Sequence, residues 1–245
     1  MFGLFKKKEN KSFLVDLVVD MHSHLLPGID DGAKELADSL ALVKKLKELG
    51  YKKLITTPHI MQDSYPNTKE IIEQKLTLLQ EALKKENIAI EIEAAAEYYL
   101  DEFFLEKLHQ PQELLVINKS YLLFETSYMA RPLNLQELIY EIKVAGLKPI
   151  FAHPERYRYI KELEEYYALK DMGVYFQLNL NSLAGHYGKD AYKKALFLMQ
   201  NGLIDFLGSD AHHLRHLQSL EQIGQDSKLY KQIIAKNTIL NQTLL

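Results

Sequence analysis

Side chains able to hold a metal ion stand at the ends of the apolar runs of this chain. The first run, "FLVDLVVDMHSH", delivers His22 and His24 with one residue between them. Alternate residues on a strand point the same way, so two such imidazoles can grip one cation. "GSDAHH" repeats the spacing with Asp210 and His212. "KKLITTPH" ends at His59, "IAIEIEAAAE" at Glu97, "SYLLFET" at Glu125 and "KPIFAHPE" at His153. "VYFQLNLN" ends in amides instead, Gln177, Asn179 and Asn181. Imidazoles and carboxylates without a thiolate suit Zn²⁺, Mn²⁺ or Fe far better than Ca²⁺ or Cu⁺. A carboxylate can bridge two ions, so two or three metals are expected. Taken singly, each residue has a plainer reading. A lone His-x-His is a weak signal, and a histidine ending a strand is more often a satisfied polar group than a ligand. Glu97 and Glu125 could each sit in a structural ion pair. Recurrence decides the matter, because buried acids and imidazoles are costly unless paired or metal-bound. His109 reads as a surface residue, and His186, His213 and His216 as rim residues.

The elements that must position these groups alternate along the chain. Near-continuous apolar strands imply burial on both faces, as in a parallel sheet covered by helices. Between the strands lie amphipathic runs such as "KELADSLALVKKLKELG", with Leu36, Leu40, Val43, Leu46 and Leu49 at helical steps and Gly50 as the stop. Similar runs cover residues 67–87, 134–146, 161–173 and 189–202, with further helices beyond about residue 216. The succession of βα units predicts a barrel or a doubly wound sheet, whose strand C-termini carry the site. No linker or composition shift interrupts it. Residues 13–245 are expected to form a single domain, preceded by a mobile basic arm over residues 1–12, "MFGLFKKKENKS".

Composition narrows the chemistry. The 245 residues are 47% hydrophobic and 26% charged, which allows a sizeable core. A formal net charge of −3 offers no basic footprint for nucleic acid. No transmembrane run is expected. The chain has no cysteine, which excludes disulfides, thiolate-ligated zinc and a cysteine nucleophile together, and fits a cytoplasmic protein.

"DMHSHLLPGIDDG", "TTPH", "AAEYY", "LLFET", "FAHPERY" and "GSDAHH" occur in that order across nearly the whole chain. The series resembles the polymerase and histidinol phosphatase (PHP) superfamily. Within it, the chain is most similar to the bacterial protein-tyrosine phosphatases associated with capsule and exopolysaccharide systems. The resemblance implies a distorted (β/α)7 barrel and a centre of three divalent ions, manganese first among them, with iron or zinc as alternatives. It implies one ion on His22, His24, Glu97 and Asp210, and a second on Glu97, Glu125 and His153. The third would take Asp31, His59 and His212. Carboxylates at Asp31 and Glu125, where other branches carry histidine, agree with the tyrosine-phosphatase branch. The chain departs from the pattern after His59, where Ile60 and Met61 replace a basic or polar residue. The implied substrate is phosphotyrosine on a protein, namely a bacterial tyrosine kinase controlling polysaccharide synthesis or export.

Such a centre suits phosphate ester hydrolysis. Divalent ions lower the pKa of a bound water towards neutrality and offset charge on the phosphoryl oxygens. Arginine adds a planar fork to the same oxygens. Arg156, Arg215 and Asp31 make up the expected catalytic set. Tyr65, Tyr128, Met129, Tyr157 and Tyr187 are candidates to wall a groove for a phenyl ring. The rival readings are a small-molecule phosphatase of histidinol-phosphate type, a PHP-type nuclease, and a catalytically silent metal-binding partner of the kinase.

Overall fold

The computed structural model describes residues 12–245. The arm expected over residues 1–12 therefore lies, up to residue 11, outside the described residues. The first apolar run does not begin as a strand. Phe13, Leu14 and Leu17 fall at helical steps, and Leu14–Leu17 forms a short helix, α1. Its apolar side is buried, with the Phe13 ring stacked 4.7 Å from Tyr230. Val18, at φ 66°, then turns the chain into β1, Val19–Asp20.

The succeeding elements alternate as the pattern predicts. They are α2 (Leu36–Leu49), β2 (Lys53–Thr56), β3 (His59–Ile60), α3 (Lys69–Lys85), β4 (Glu91–Ala94), β5 (Glu97–Tyr99) and α4 (Phe104–Leu108). Then come β6 (Tyr121–Glu125), α5 (Leu135–Val144), β7 (Lys148–Ala152), α6 (Glu164–Asp171), β8 (Tyr175–Asn179) and α7 (Leu180–Leu183). The chain continues through α8 (Gly188–Gln200), β9 (Phe206–Gly208), α9 (Leu214–Gly224) and α10 (Ser227–Lys236). Helix α2 shows why the boundaries fall where they do. Glu35 and Asp38 cap its N-terminus reciprocally, and Gly50 at φ 108° ends it.

Among the described residues the strands pair with one another in parallel and fall into two sheets, β1-β2-β4 and β3-β5-β6-β7-β8-β9, with isolated antiparallel bridges at Met61–Tyr65 and Ile117–Tyr121. The expected (β/α)7 barrel is thus met only as an α/β fold with parallel sheets; among the described residues the strands do not close into one sheet. Two of the predicted strands are split. Pro58 brings no N–H to a ladder, and the run "KLITTPHI" divides there into β2 and β3. "IEIEAAAEYY" divides likewise between β4 and β5 at Ala95–Ala96. Between β1 and β9, side chains and single contacts replace a ladder. Asn241 donates to Val19 O at 2.9 Å and Leu207 O at 2.7 Å, and accepts from Leu207 N at 2.9 Å. Asp20 accepts from Ser209 N at 2.9 Å and Ser209 Oγ at 2.6 Å. Nearer the strand ends, Asp210 N donates to His22 O and His24 N to Ala211 O.

Strand alternation sorts apolar side chains into two cores. Leu122, Phe124, Phe151 and Leu207 join the large cluster shared with the helices. Tyr121, Leu123, Ile150, Ala152 and Phe206 join a smaller one with Val19, Met21, Ile55 and Ala95. The parity of that inner row runs on into polar residues: Tyr121 and Leu123 lead to Glu125, Ala95 to Glu97, and Phe206 to Asp210. The candidate site lies at that end of the inner core.

Candidate metal centre

The strand ends bring all nine expected ligands into one cluster. Among the described residues four groups form, the donor atoms of each lying within 4.8 Å of one another: His22/His24/Asp210, His22/Glu97/His153, His59/Glu97/Glu125 and His24/Asp31/His59/His212. Glu97 is central and wholly buried. Its Oε2 is 3.2 Å from His22 Nε2, 3.5 Å from His24 Nε2 and 3.2 Å from His59 Nδ1. Its Oε1 is 3.0 Å from His153 Nε2. Asp210 Oδ1 is 3.5 Å from His22 and 3.4 Å from both His24 and His212. Asp31 Oδ1 is 3.4 Å from His59 Nε2 and 3.3 Å from His212 Nε2. Relative to the three sets implied by resemblance, His24 also approaches the outer set, and His59 offers its second nitrogen to Glu97 and Glu125.

Two of these residues depend on unusual backbone. His153 has φ 34° and Asp210 φ 48°, both left-handed. His153 follows Phe151 in strand parity and would face the outer core; the left-handed turn at the end of β7 aims it at Glu97 instead. Left-handed non-glycine residues cost about 1–3 kcal/mol and gather at functional sites. Two glycines are needed for close packing. A Cβ on Gly32 would lie 2.3 Å from His24 O, and one on Gly208 2.8 Å from His22 Cβ.

The residues fit a metal on three counts. Adjacent donors on one cation, at bond lengths of 2.0–2.1 Å, lie roughly 2.8–3.4 Å apart in octahedral or tetrahedral geometry, close to the separations found here. Two of the imidazoles, His22 and His24, are oriented through Nδ1. His22 Nδ1 donates to Gln177 Oε1 at 2.7 Å and His24 Nδ1 to Asp30 Oδ2 at 2.8 Å, which turns each Nε2 inward, where it can serve a cation once unprotonated. Finally, buried His59 Nδ1 lies 2.9 Å from Glu125 Oε1 but is aligned with no hydrogen-bond partner.

Electrostatics says the same. Burial alone would depress His22, His24 and His59. For His22 the carboxylates Glu97 and Asp210 reverse this, for His24 chiefly Asp30, and for His59 chiefly Glu97, which helps push it up to about 10. Burial raises Glu97, yet His22 and His59 hold it well below the usual carboxylate range. Burial likewise raises Asp31, and His212 and His59 outweigh it. Without cations, His22, His24 and His59 take up protons beside these carboxylates, while burial and Arg156 lower His153; metal ions would supply the same positive charge.

Above the donors opens a cleft of about 620 Å³, lined among others by Asp31, Tyr65, Tyr128, Met129, Arg156 and Tyr187. Arg156 lies between Tyr128 and Tyr187, 4.6 and 4.2 Å from the ring centres, and donates to Asp210 Oδ2 at 2.9 Å. Arg215 is not among the cleft residues. It is exposed and lines a neighbouring groove with Lys34 and Asp38. Tyr157 is also misplaced by the sequence reading. It is wholly buried, stacked 4.5 Å from Phe151, because residue 157 continues the outer core. His109 is exposed, while His213 and His216 line the cleft.

Sequence reasoning missed Asp30 and Glu155 as supports and named Gln177 and Asn179 without the part they play. Asp30 and Gln177 orient His24 and His22. Asn179 donates to Asp210 Oδ2 at 2.6 Å. Gln177 and Asn179 were visible as amides ending a strand, but their partners come from β1, β7 and β9. Glu155, in "AHPERY", is buried. It accepts from Asn179 N at 3.2 Å and Ser182 Oγ at 2.6 Å, and burial pushes it up to about 7 against those bonds.

Residues 18–231 match the family described as capsular polysaccharide synthesis, CpsB/CapC. The chain is 32% identical over 199 residues to the tyrosine-protein phosphatase YwqE of Bacillus subtilis, covering 81% of this chain and 78% of that protein. It is 26% identical over 203 residues to the tyrosine-protein phosphatase CpsB of Streptococcus agalactiae, covering 80% and 84%. Among solved structures it is similar to the metal-dependent tyrosine phosphatases described as YwqE from Bacillus subtilis and CpsB from Streptococcus pneumoniae. That match has a TM-score of 0.77 at 30% identity and covers 90% of this chain and 96% of the other.

Proposed function

This chain belongs to the CpsB/CapC family of capsular polysaccharide synthesis, and from that premise we propose that it is a metal-dependent protein-tyrosine phosphatase. Its substrate is phosphotyrosine on a bacterial tyrosine kinase that controls polysaccharide synthesis or export. It works in the cytoplasm, and residues 13–245 form the single catalytic unit. One observation carries the reading: imidazoles and carboxylates from many strand ends converge on buried Glu97. They lie beneath a cleft lined by tyrosines and Arg156.

His22, His24, Asp31, His59, Glu97, Glu125, His153, Asp210 and His212 would hold two or three divalent ions, manganese first, with iron or zinc as alternatives. When bound, the ions supply a deprotonated water at neutral pH and counter-charge for the phosphoryl oxygens. Gln177 and Asp30 hold the His22 and His24 rings with Nε2 turned inward, where a bound cation would displace its proton. Asp210 divides its oxygens, Oδ1 towards the imidazoles and Oδ2 towards Arg156 and Asn179. Arg156, fixed by Asp210 and the two tyrosine faces, offers its remaining N–H groups to the phosphoryl oxygens. Tyr65, Tyr128, Met129 and Tyr187 enclose the phenyl ring. Asp31, held ionised, acts as an acceptor for cation or water. The phenolate leaves readily, its parent pKa being about 10.

The test is turnover of metal-reconstituted protein on a phosphotyrosine peptide, beside histidinol phosphate and a single-stranded oligonucleotide. The peptide should be preferred, elemental analysis should find two or three transition ions per chain, and chelation should abolish activity. Thiol alkylation should change nothing, and labelled water should enter phosphate in one step. Full activity after exhaustive chelation, or preference for histidinol phosphate, overturns the reading.

A further inference from the structure

A second groove, of about 790 Å³, continues from the catalytic cleft and shares with it Tyr128, Met129, Arg156 and Tyr187. Its charge is unlike that of the chain. The whole protein carries −3, yet Arg156, Arg158, Lys161, Lys189 and Lys194 line this groove against Asp190 alone. Two of the cations are engaged. Arg156 pairs with Asp210, and buried Lys194 bonds Asp190 and the carbonyl of Tyr157 at 2.8 Å each. Arg158, Lys161 and Lys189 are exposed and, among the described residues, their charged side-chain groups have no carboxylate within 4.0 Å, although the backbone N of Lys161 donates to Glu165 at 3.0 Å. Their place is set by the fold. Arg158 N donates to Tyr128 O at 2.8 Å, tying the segment after β7 to the cleft wall, and Lys189 stands in the first turn of α8.

Clustered cations of one sign repel each other, and a groove focuses their field onto whatever enters it. A free phosphotyrosine fills only the catalytic cleft. A peptide bearing it must leave along a neighbouring surface, and this groove opens from the same wall. We propose that Arg158, Lys161 and Lys189 form a specificity subsite that binds acidic side chains, aspartate or glutamate, flanking the phosphotyrosine of the substrate. This rests on the phosphotyrosine reading above and adds the sequence context that the enzyme selects.

The experiment compares three substrates on the metal-loaded, full-length protein: p-nitrophenyl phosphate, a phosphotyrosine peptide with acidic flanks, and the same peptide with glutamine and asparagine in their place. The acidic peptide should have a kcat/KM roughly three- to tenfold higher, the yield of two or three exposed ion pairs, and the advantage should shrink with salt. The triple variant Arg158→Glu, Lys161→Glu, Lys189→Glu should lose or invert that preference while hydrolysing p-nitrophenyl phosphate at the wild-type rate. Equal kcat/KM for the two peptides in the wild type overturns the subsite, as does a preference that survives in the triple variant. Competition by an oligonucleotide without any peptide preference also overturns it, in favour of a nucleic-acid groove. Turnover of p-nitrophenyl phosphate with neither peptide hydrolysed overturns the phosphotyrosine reading itself, and this inference with it.

Discussion

At the scale of single residues, ligation and phosphate binding are separable. His22 contributes a buried Nε2 within 3.5 Å of His24, Glu97 and Asp210 donors. His22→Ala should therefore lower both metal content and rate. Arg156 contacts Asp210 through its guanidinium, which is no ligand in its charged form. Arg156→Ala should keep the metals and lose about 2–4 kcal/mol of transition-state stabilisation, or roughly 30- to 1,000-fold in kcat/KM. Arg156→Lys should recover only part of that, because an ammonium lacks the planar fork and its stacking between Tyr128 and Tyr187. Metal analysis and kcat/KM on a phosphotyrosine peptide check all three. Wild-type kcat/KM in Arg156→Ala would return Arg156 to a structural role.

Among elements, the weak point is the seam between β1 and β9. A regular ladder would satisfy the backbone there; instead Asn241, from the C-terminal segment, bonds Val19 O and both Leu207 N and Leu207 O. Asn241→Ala leaves buried backbone groups without partners, a loss of about 2 kcal/mol. For a chain of this size, Tm should fall by roughly 4–8 °C. Asn241→Asp should recover little, since a carboxylate accepts from Leu207 N but cannot donate to the two carbonyls. Thermal unfolding of the metal-loaded variants tests this. An unchanged Tm in Asn241→Ala would mean that the seam carries no load.

For the whole molecule, protons and metals compete for one buried set of charges. In chelated protein the carboxylates raise His22 and His24, and raise His59 to about 10. A base with a raised folded pKa adds stability that is fully present below its unfolded value, about 6.5 for histidine, and is lost as pH climbs through the folded value. Chelated protein should therefore lose Tm between pH 6.5 and about 10. Metal affinity should move the opposite way, rising with pH as fewer protons must be expelled. Calorimetry with and without Mn²⁺ across that range reads both slopes. A chelated protein that gains stability as the pH rises would contradict this account of the cluster.

What the chain decides by itself is the identity and parity of the strand-end groups. His22 and His24, or Asp210 and His212, can be read as pairs from their spacing, although both pairs lie just beyond β1 and β9 and the left-handed turn at Asp210 rather than a strand sets its direction, and Glu97 and Glu125 can be read because apolar runs announce their own ends. Helix limits such as Gly50 are local for the same reason. Other features depend on residues far apart in sequence. Pro58 splits β2 from β3, yet nothing nearby says that Asn241 and Asp20 will stand in for the missing ladder. Asp30 and Asp31 are neighbours of the same type, but their roles diverge because Asp30 meets His24 from the buried side while Asp31 meets His59 and His212 at the mouth. Arg156 and Arg215 both follow a histidine ligand candidate, and only the fold turns Arg156 into the cleft and leaves Arg215 beside it. Tyr157 reads as a loop aromatic, whereas packing on Phe151 takes it into the core. Spacing along the chain sets which way a side chain can point; what it meets is settled by distant segments competing for the same buried volume.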